Sequence, residues 1–152
     1  MTTAIKTDFA RESVLAIEDE IKPLITRHWQ EIAHYKDIKL DPDWEHYRSL
    51  DDRGFLAVFT ARQDSVLVGY AIFFVRSNPH YKQSLQAHQD IIFIDQEKRG
   101  FGKDFITWCD NQLKSDGVQV VYHHVKKSHD FSPLLRRIGY NLVDLIYSRR
   151  LL

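Results

Sequence analysis

Apolar residues recur at steps of three and four along the first third of the chain: Val14, Ile17, Ile21, Leu24 and Ile25, then Trp29, Ile32 and Ala33. That spacing draws one stripe down a helix. Pro23 interrupts it, because an internal proline removes an N–H and crowds the turn before it. The pattern therefore predicts a helix from about Arg11 to Lys22 and a second, kinked or restarted, from Pro23 to about Lys36. Asp41-Pro42 reads as a helix start with Trp44 and Tyr47 three apart behind it, which predicts a short helix within Asp41 to Asp52.

From Phe55 the grammar changes. Phe55 to Arg62 and Val66 to Arg76 are rich in β-branched and aromatic residues and flank Gln63-Asp64-Ser65, a hairpin signal. A loop with Asn78-Pro79-His80-Tyr81 precedes a third strand, Ala87 to Ile94. Gly100 and Gly102 then lead into a helix reaching about Ser115, with Phe105, Ile106, Cys109 and Leu113 on one face and Gly117 as the stop. Val118 to Val125 reads as a fourth strand. A short helix, with Ser132 before Pro133 as its start, runs to Ile138 and ends at Gly139; Tyr140 to Leu151 supplies a last strand or pair of strands. This order makes an α+β, or mixed α/β, sheet with helices on its faces.

The 152 residues are 43% apolar and 28% charged, which is the composition of an ordinary globular chain. No repeat or linker divides them, so 1–152 is expected to be one domain, with a helical segment 10–52 and a sheet core 54–151. A lone Cys109 makes no internal disulfide, and no cysteine cluster suggests structural zinc; a reducing cytoplasm is the expected location. No run approaches the ~20 apolar residues of a membrane span, and residues 1–8 do not read as a signal peptide. Lys plus Arg and Asp plus Glu both total 21, which leaves no net field to attract nucleic acid.

The informative junction is Gln96-Glu97-Lys98-Arg99-Gly100-Phe101-Gly102-Lys103, between a strand and a helix. Two glycines there let backbone amides turn toward an anion at the helix N-terminus, and a diphosphate suits such a place. Arg99 and Lys103 add cationic donors. The spacing is not that of a Walker loop, and the third glycine of a dinucleotide fingerprint is missing.

This segment resembles the signature of the GNAT family of N-acetyltransferases, Gln/Arg-x-x-Gly-x-Gly/Ala. Arg99-Gly100-Phe101-Gly102 matches its second half, and Glu97 stands where Gln or Arg is usual. The hydrophobic strand before it, the strand after the helix, and a short arginine-rich helix closing on Ile138-Gly139-Tyr140 extend the likeness over about Gly54 to Leu151. The whole chain also resembles small acetyltransferase-like proteins carried by phages, for which the location would be the host cytoplasm. The resemblance implies a mostly antiparallel central sheet whose two parallel strands splay at a cofactor cleft. It implies acetyl-CoA as cosubstrate, held by Ile92, Ile94, Arg99, Gly100, Phe101, Gly102, Lys103 and Ser128. The implied acceptor is an amine of a small molecule, peptide or protein, and a homodimer is a candidate assembly.

Direct attack on the thioester needs a base, since an alkyl ammonium with a pKa of about 10 is not nucleophilic at neutral pH. Asp90, in the strand before the motif, is the candidate, with His88 on its strand face; a plain salt-bridged or solvated carboxylate is the competing reading. Many members of the family place a tyrosine, the thiol's proton donor, where this chain has Leu135. Tyr140 or Tyr122 could substitute, or the thiolate could leave unprotonated. Among the clustered histidines, His123 and His124 face opposite ways on a strand, which argues against a shared metal ion. His124 is the candidate participant from the cleft wall. Trp29, Tyr35, Trp44, Tyr47, Tyr81 and the nearby His34, His46 and His80 fall where the family shapes its acceptor pocket, although helix packing accounts for most of them.

The competing readings are a catalytically silent acyl-CoA-binding or partner-binding module with the same fold, and a nucleic-acid-binding domain, which the zero net charge disfavours.

Overall fold

A computed structural model describes residues 5–95, 98 and 100–152. Its first element is β1 (Thr7–Arg11), antiparallel to β2 (Leu56–Gln63). The sequence pattern predicts no strand there. Phe9 is the one large apolar residue of the segment and gives no period, yet its ring lies 5.3 Å from Phe105 and 6.0 Å from Trp108.

The next helix, α1 (Val14–Ile32), is continuous through Pro23, where two helices were expected, and it stops short of Lys36. Ser13 caps its start, its hydroxyl accepting the Ala16 N–H at 3.1 Å. Val14, Ile17 and Ile21 are buried against the sheet. Three such side chains stabilise by about 1.5–3 kcal/mol each, which outweighs the roughly 3 kcal/mol cost of an internal proline. The predicted short helix is α2 (Trp44–Asp52), capped by the Asp43 carboxylate accepting the His46 N–H at 3.0 Å.

β2 and β3 (Val66–Asn78) form the predicted hairpin. Asp64 and Ser65 take positive φ, 50° and 65°, the turn whose twist matches the strands it joins. β4 (Tyr81–Ile94) begins six residues before the expected Ala87, because the loop contracts to a turn at Pro79 and His80, and Asn78 pairs with Tyr81. The added stretch is mostly polar, and its first three residues are exposed, which hid it from an apolar pattern.

α3 (Gly102–Ser115) buries Phe105, Ile106, Cys109 and Leu113, the four residues its period predicts, and Gly117 follows with φ +91°. β5 (Val120–Tyr122) is shorter than the expected Val118 to Val125. α4 (Ser132–Arg137) ends before Gly139, φ +102°. The last expected element is not formed: residues 141–152 are exposed and belong to no strand of the sheet.

The sheet order is β1-β2-β3-β4-β5, antiparallel except for β4 and β5, which are parallel. One face is covered by α1 and α2 over Tyr70, Ile72 and Phe93. The other is covered by α3 over Phe59, Ala71 and Phe73. This is the expected α+β architecture with a mixed sheet between helices. No helix among the described residues is long and apolar enough to cross a membrane.

Candidate active site

The parallel strands part early. β4 and β5 pair only at Gln86–Val120, Ala87–Val121 and His88–Tyr122, while β4 continues to Ile94. Residues 91–94 therefore pair with β3 on one side, and no described strand pairs with their other edge. Where the strands separate, the Gln89 side chain reaches across. Its Nε2 donates to the His124 carbonyl at 3.3 Å, and its Oε1 pairs with His123 Nδ1 at 2.7 Å.

The same place carries an irregularity of register. Ile72 pairs with Ile91 but Phe73 with Gln89, so Asp90 is an extra residue of β4, a bulge. Asp90 faces α2, where the Tyr47 hydroxyl donates to its Oδ2 at 2.5 Å. Burial raises the carboxyl pKa above its ordinary value, and the Tyr47 hydroxyl, which favours the charged form, offsets part of the rise. Tyr47 is itself pushed upward by burial and then by Asp90.

Tyr47 is held in place by its neighbours on α2. Arg48 Nη1 donates to both oxygens of the buried Glu18 of α1, at 2.6 and 2.7 Å, and the Asp51 carboxylate accepts the Val14 N–H at 2.8 Å. Both contacts lock α2 to α1. Beneath α1, Tyr70 is fully buried, its hydroxyl has no partner among the described residues, and Asp90 is among the charges that act on it.

An opening of about 520 Å³ lies between α2 and the sheet, lined by His46, Leu50 and Phe55 and by Phe74, Arg76 and His88 of the sheet. Tyr47 stacks on Phe74 with centroids 6.4 Å apart and planes 17° apart. His88 stacks on Tyr122 at 4.6 Å; burial lowers its pKa first, and Arg76 and His124 lower it further.

At the end of β4 the chain turns into α3. Gly100 has φ +120° with nothing near its would-be Cβ, a conformation that glycine takes without strain. A Cβ on Gly102 would lie 3.1 Å from Ile94 Cδ1 and 3.5 Å from Leu134 Cδ2, so the helix start is packed closely against β4 and α4. No side chain caps the first turn of α3, which leaves its amides available to an anion. Lys103 is exposed beside them.

The expected site residues are distributed unevenly. Gly100, Gly102 and Lys103 gather at the α3 start, and Ile92 and Ile94 lie on the neighbouring strand, packed toward the α3 side. Arg99 and Glu97 lie outside the described residues. The Phe101 ring is buried in the core, 6.3 Å from both Phe9 and Phe105, so only its backbone is available to a ligand. Ser128 is exposed in a turn closed by the Lys126–His129 bridge.

His124 is exposed, and it is His123 whose ring is buried among Phe73, Phe131 and Tyr140. Burial, then the proximity of His124, lowers the His123 pKa to about 4. Tyr140 does not join Asp90. Its hydroxyl donates to Asp110 Oδ1 of α3 at 2.7 Å, on the face of the sheet opposite Tyr47, because a part-buried carboxylate needs a donor. Leu135 is buried. Among the described residues no group of three His, Cys, Asp or Glu side chains is arranged to hold a metal ion.

No protein-family model matches the sequence, and no curated protein matches it. Solved structures do. The chain is similar to a ribosomal-protein-alanine N-acetyltransferase from Brucella melitensis biovar Abortus 2308, with TM-score 0.71 and 20% identity over 96% of this chain and 99% of that one. It is similar to a predicted acetyltransferase from Clostridium acetobutylicum crystallised with acetyl-CoA, with TM-score 0.72 and 12% identity over 95% and 96%.

This is the GNAT fold. A transcriptional regulator from Bacillus halodurans C-125 is similar to the same degree, with TM-score 0.75 and 12% identity over 96% and 100%. The likeness is one of fold alone, and the activity rests on the side chains at the site.

Sequence reasoning missed Tyr47 as the partner of Asp90. The two are 43 residues apart, and nothing local in the sequence marks the pair.

Proposed function

We propose that the protein transfers an acetyl group from acetyl-CoA to an amine, with Asp90 as the base. The observation that carries the reading is a half-buried carboxylate on the bulge of β4, at the point where the parallel strands part. The elongated thioester suits the edge of residues 91–94 that pairs with no described strand, where backbone groups can bond its amides. The uncapped first turn of α3, Gly100 and Lys103 suit its diphosphate.

The amine approaches through the opening beside His46, Phe74 and His88. As an ammonium ion it loses a proton to Asp90, directly or through water, and its lone pair attacks the thioester carbon. A C–N bond forms, the C–S bond breaks and CoA leaves as the thiolate, while the second proton of the nitrogen passes to water. The raised pKa of Asp90 brings it nearer the operating pH, where a general base transfers protons most effectively. The chain's remaining contribution is orientation of the two substrates, which alone supplies a large share of such a barrier reduction.

The cytoplasm is the proposed location. Cys109 is buried in the core, with its thiol pKa pushed up by burial and then by Asp110, so it behaves as an inert apolar residue suited to a reducing compartment.

One observation favours the silent-module alternative: Leu135 is buried and apolar, and Tyr140 is engaged by Asp110, so neither serves as an acid for the leaving thiol. Thiol release from acetyl-CoA decides between the two. Transfer predicts release that is slow with water alone and accelerated by at least one amine in a panel of small amines and peptide N-termini. Binding of CoA with no acceleration by any amine would establish the silent module.

A further inference from the structure

The opening between α2 and the sheet joins an apolar wall to charge of one sign. Leu50, Phe55 and Phe74 give the wall its apolar surface, and Tyr47, whose hydroxyl bonds to Asp90, stacks on Phe74. None of the described residues that line the opening is acidic, whereas Arg76 of β3 is among them. Arg76 is exposed and forms no ion pair with a described residue. Burial and then the Arg76 guanidinium lower the His88 pKa, so the imidazole stays neutral and leaves the charge of that part of the wall to Arg76. Arg53, the residue that follows α2, lies over the Phe55 ring with its Cζ 5.2 Å from the centroid, and it also pairs with no described acid.

The strand register gives the distance from Arg76 to the reacting centre. The bulge at Asp90 lies opposite Ile72 and Phe73, and Arg76 stands three residues beyond Phe73 on the same strand. At about 3.3 Å per residue the separation is roughly 10 Å. Alternation puts Arg76 on the same face as Phe74, which packs into the layer beneath α1 and α2. Asp90 faces α2 as well, so the cation and the proposed base look into one layer from two points along the sheet. The amine and carboxylate of a single α-amino acid share one carbon and are too close together to reach both.

We infer that the acceptor is an amine whose far end carries a carboxylate, the two joined by an apolar stem about as long as three extended residues, with Arg76 holding the carboxylate and Leu50, Phe55 and Phe74 covering the stem. The inference rests on the transfer reading above for which end of the molecule reacts. A guanidinium takes a carboxylate through two parallel N–H bonds, and that planar match makes arginine more selective for it than lysine. A wall with unpaired cations and no acid repels an acceptor that is cationic at both ends. The volume of about 520 Å³ is within the range of small-molecule sites.

Calorimetric titration of the full chain with CoA present reads the carboxylate site without turnover. Aminooctanoate, with its amine on the terminal carbon, should bind about tenfold more tightly than its carboxamide, and more tightly still than the diamine of equal length. In Arg76→Gln the acid and the carboxamide should bind alike. Thiol release from acetyl-CoA by the wild type gives a second reading independent of any variant: the advantage of the acid over the carboxamide in kcat/KM should be present for aminooctanoate and absent for aminobutyrate, which is too short to reach both points. Equal binding of acid and carboxamide to the wild type, a preference that survives Arg76→Gln, or an advantage as large for aminobutyrate as for aminooctanoate would each overturn the inference. Amines that accelerate release with no preference for the acid would leave the transfer reading standing and remove this one. A preference in binding that Arg76→Gln abolishes, with release accelerated by no amine, would establish the carboxylate site and remove the transfer reading.

Discussion

The Tyr47 hydroxyl donates a 2.5 Å hydrogen bond to Asp90 Oδ2 and so ties α2 to the bulge residue in the middle of β4. The bond favours the carboxylate, while burial favours the acid. Removing the hydroxyl should let burial act unopposed. In Tyr47→Phe the carboxyl pKa rises further, Asp90 ionises only at higher pH, and the acid limb of the kcat/KM profile moves to higher pH. Asp90→Asn should lower amine-dependent thiol release by about 10²- to 10⁴-fold with CoA affinity unchanged. An Asp90→Asn variant of normal turnover would remove the residue as the base.

Lys103→Glu tests the diphosphate site without disturbing the fold, since the side chain is exposed. Loss of a charge-assisted bond worth about 1.5–3 kcal/mol predicts CoA binding weakened by roughly 10- to 100-fold. Calorimetric titration with CoA measures it. An unaltered dissociation constant would move the diphosphate elsewhere.

Tyr70→Phe should stabilise the free protein. The hydroxyl is fully buried with no partner among the described residues, and leaving such a group unsatisfied costs about 1–3 kcal/mol. Denaturant unfolding should show a higher midpoint with an unchanged slope. A fall in amine-dependent turnover in the same variant would show that the hydroxyl is used when substrates are bound; a lower midpoint would mean that it already has a partner.

Stability should fall with acid. His28 and His123 have pKa values lowered to about 4, chiefly by burial, whereas unfolded histidine titrates near 6.5. Between those values the unfolded chain binds more protons than the folded one, so stability rises with pH across the window and is lost as pH falls from 6.5 to 4. Each imidazole contributes up to about 3 kcal/mol of this dependence. His28 lies against Phe93 and its Nδ1 is unpartnered, so His28→Phe should fold and give a shallower decline. Melting temperatures at pH 4.5, 5.5 and 6.5 (chosen within the window) check both statements, and a flat wild-type profile contradicts them.

Much of the fold was legible because it is written in local periods. Phe105, Ile106, Cys109 and Leu113 mark the buried face of α3, and Asp64-Ser65 marks the hairpin turn. Where the period is carried by one residue, as with Phe9 in β1, or overridden by burial, as at Pro23, the local signal fails. The glycine turn was legible at the site, since Gly100 and Gly102 impose a backbone shape by themselves. The Tyr47–Asp90 bond was not, because it depends on how α2 is fastened to α1 by Glu18 and Arg48, a tertiary relation with no sequence spacing of its own.

The extra residue in β4 also sets a reading frame. His88 and Ile91, three positions apart, face the same layer because Asp90 intervenes; with perfect pairing they would face opposite layers. Deleting Asp90 would leave His88 and Ile91 two positions apart, where ordinary alternation puts them on the same layer, so the other side chains of β4 keep their facing. The strand is therefore geometrically complete without this residue, and its deletion should spare the fold while removing the carboxylate that the bulge carries.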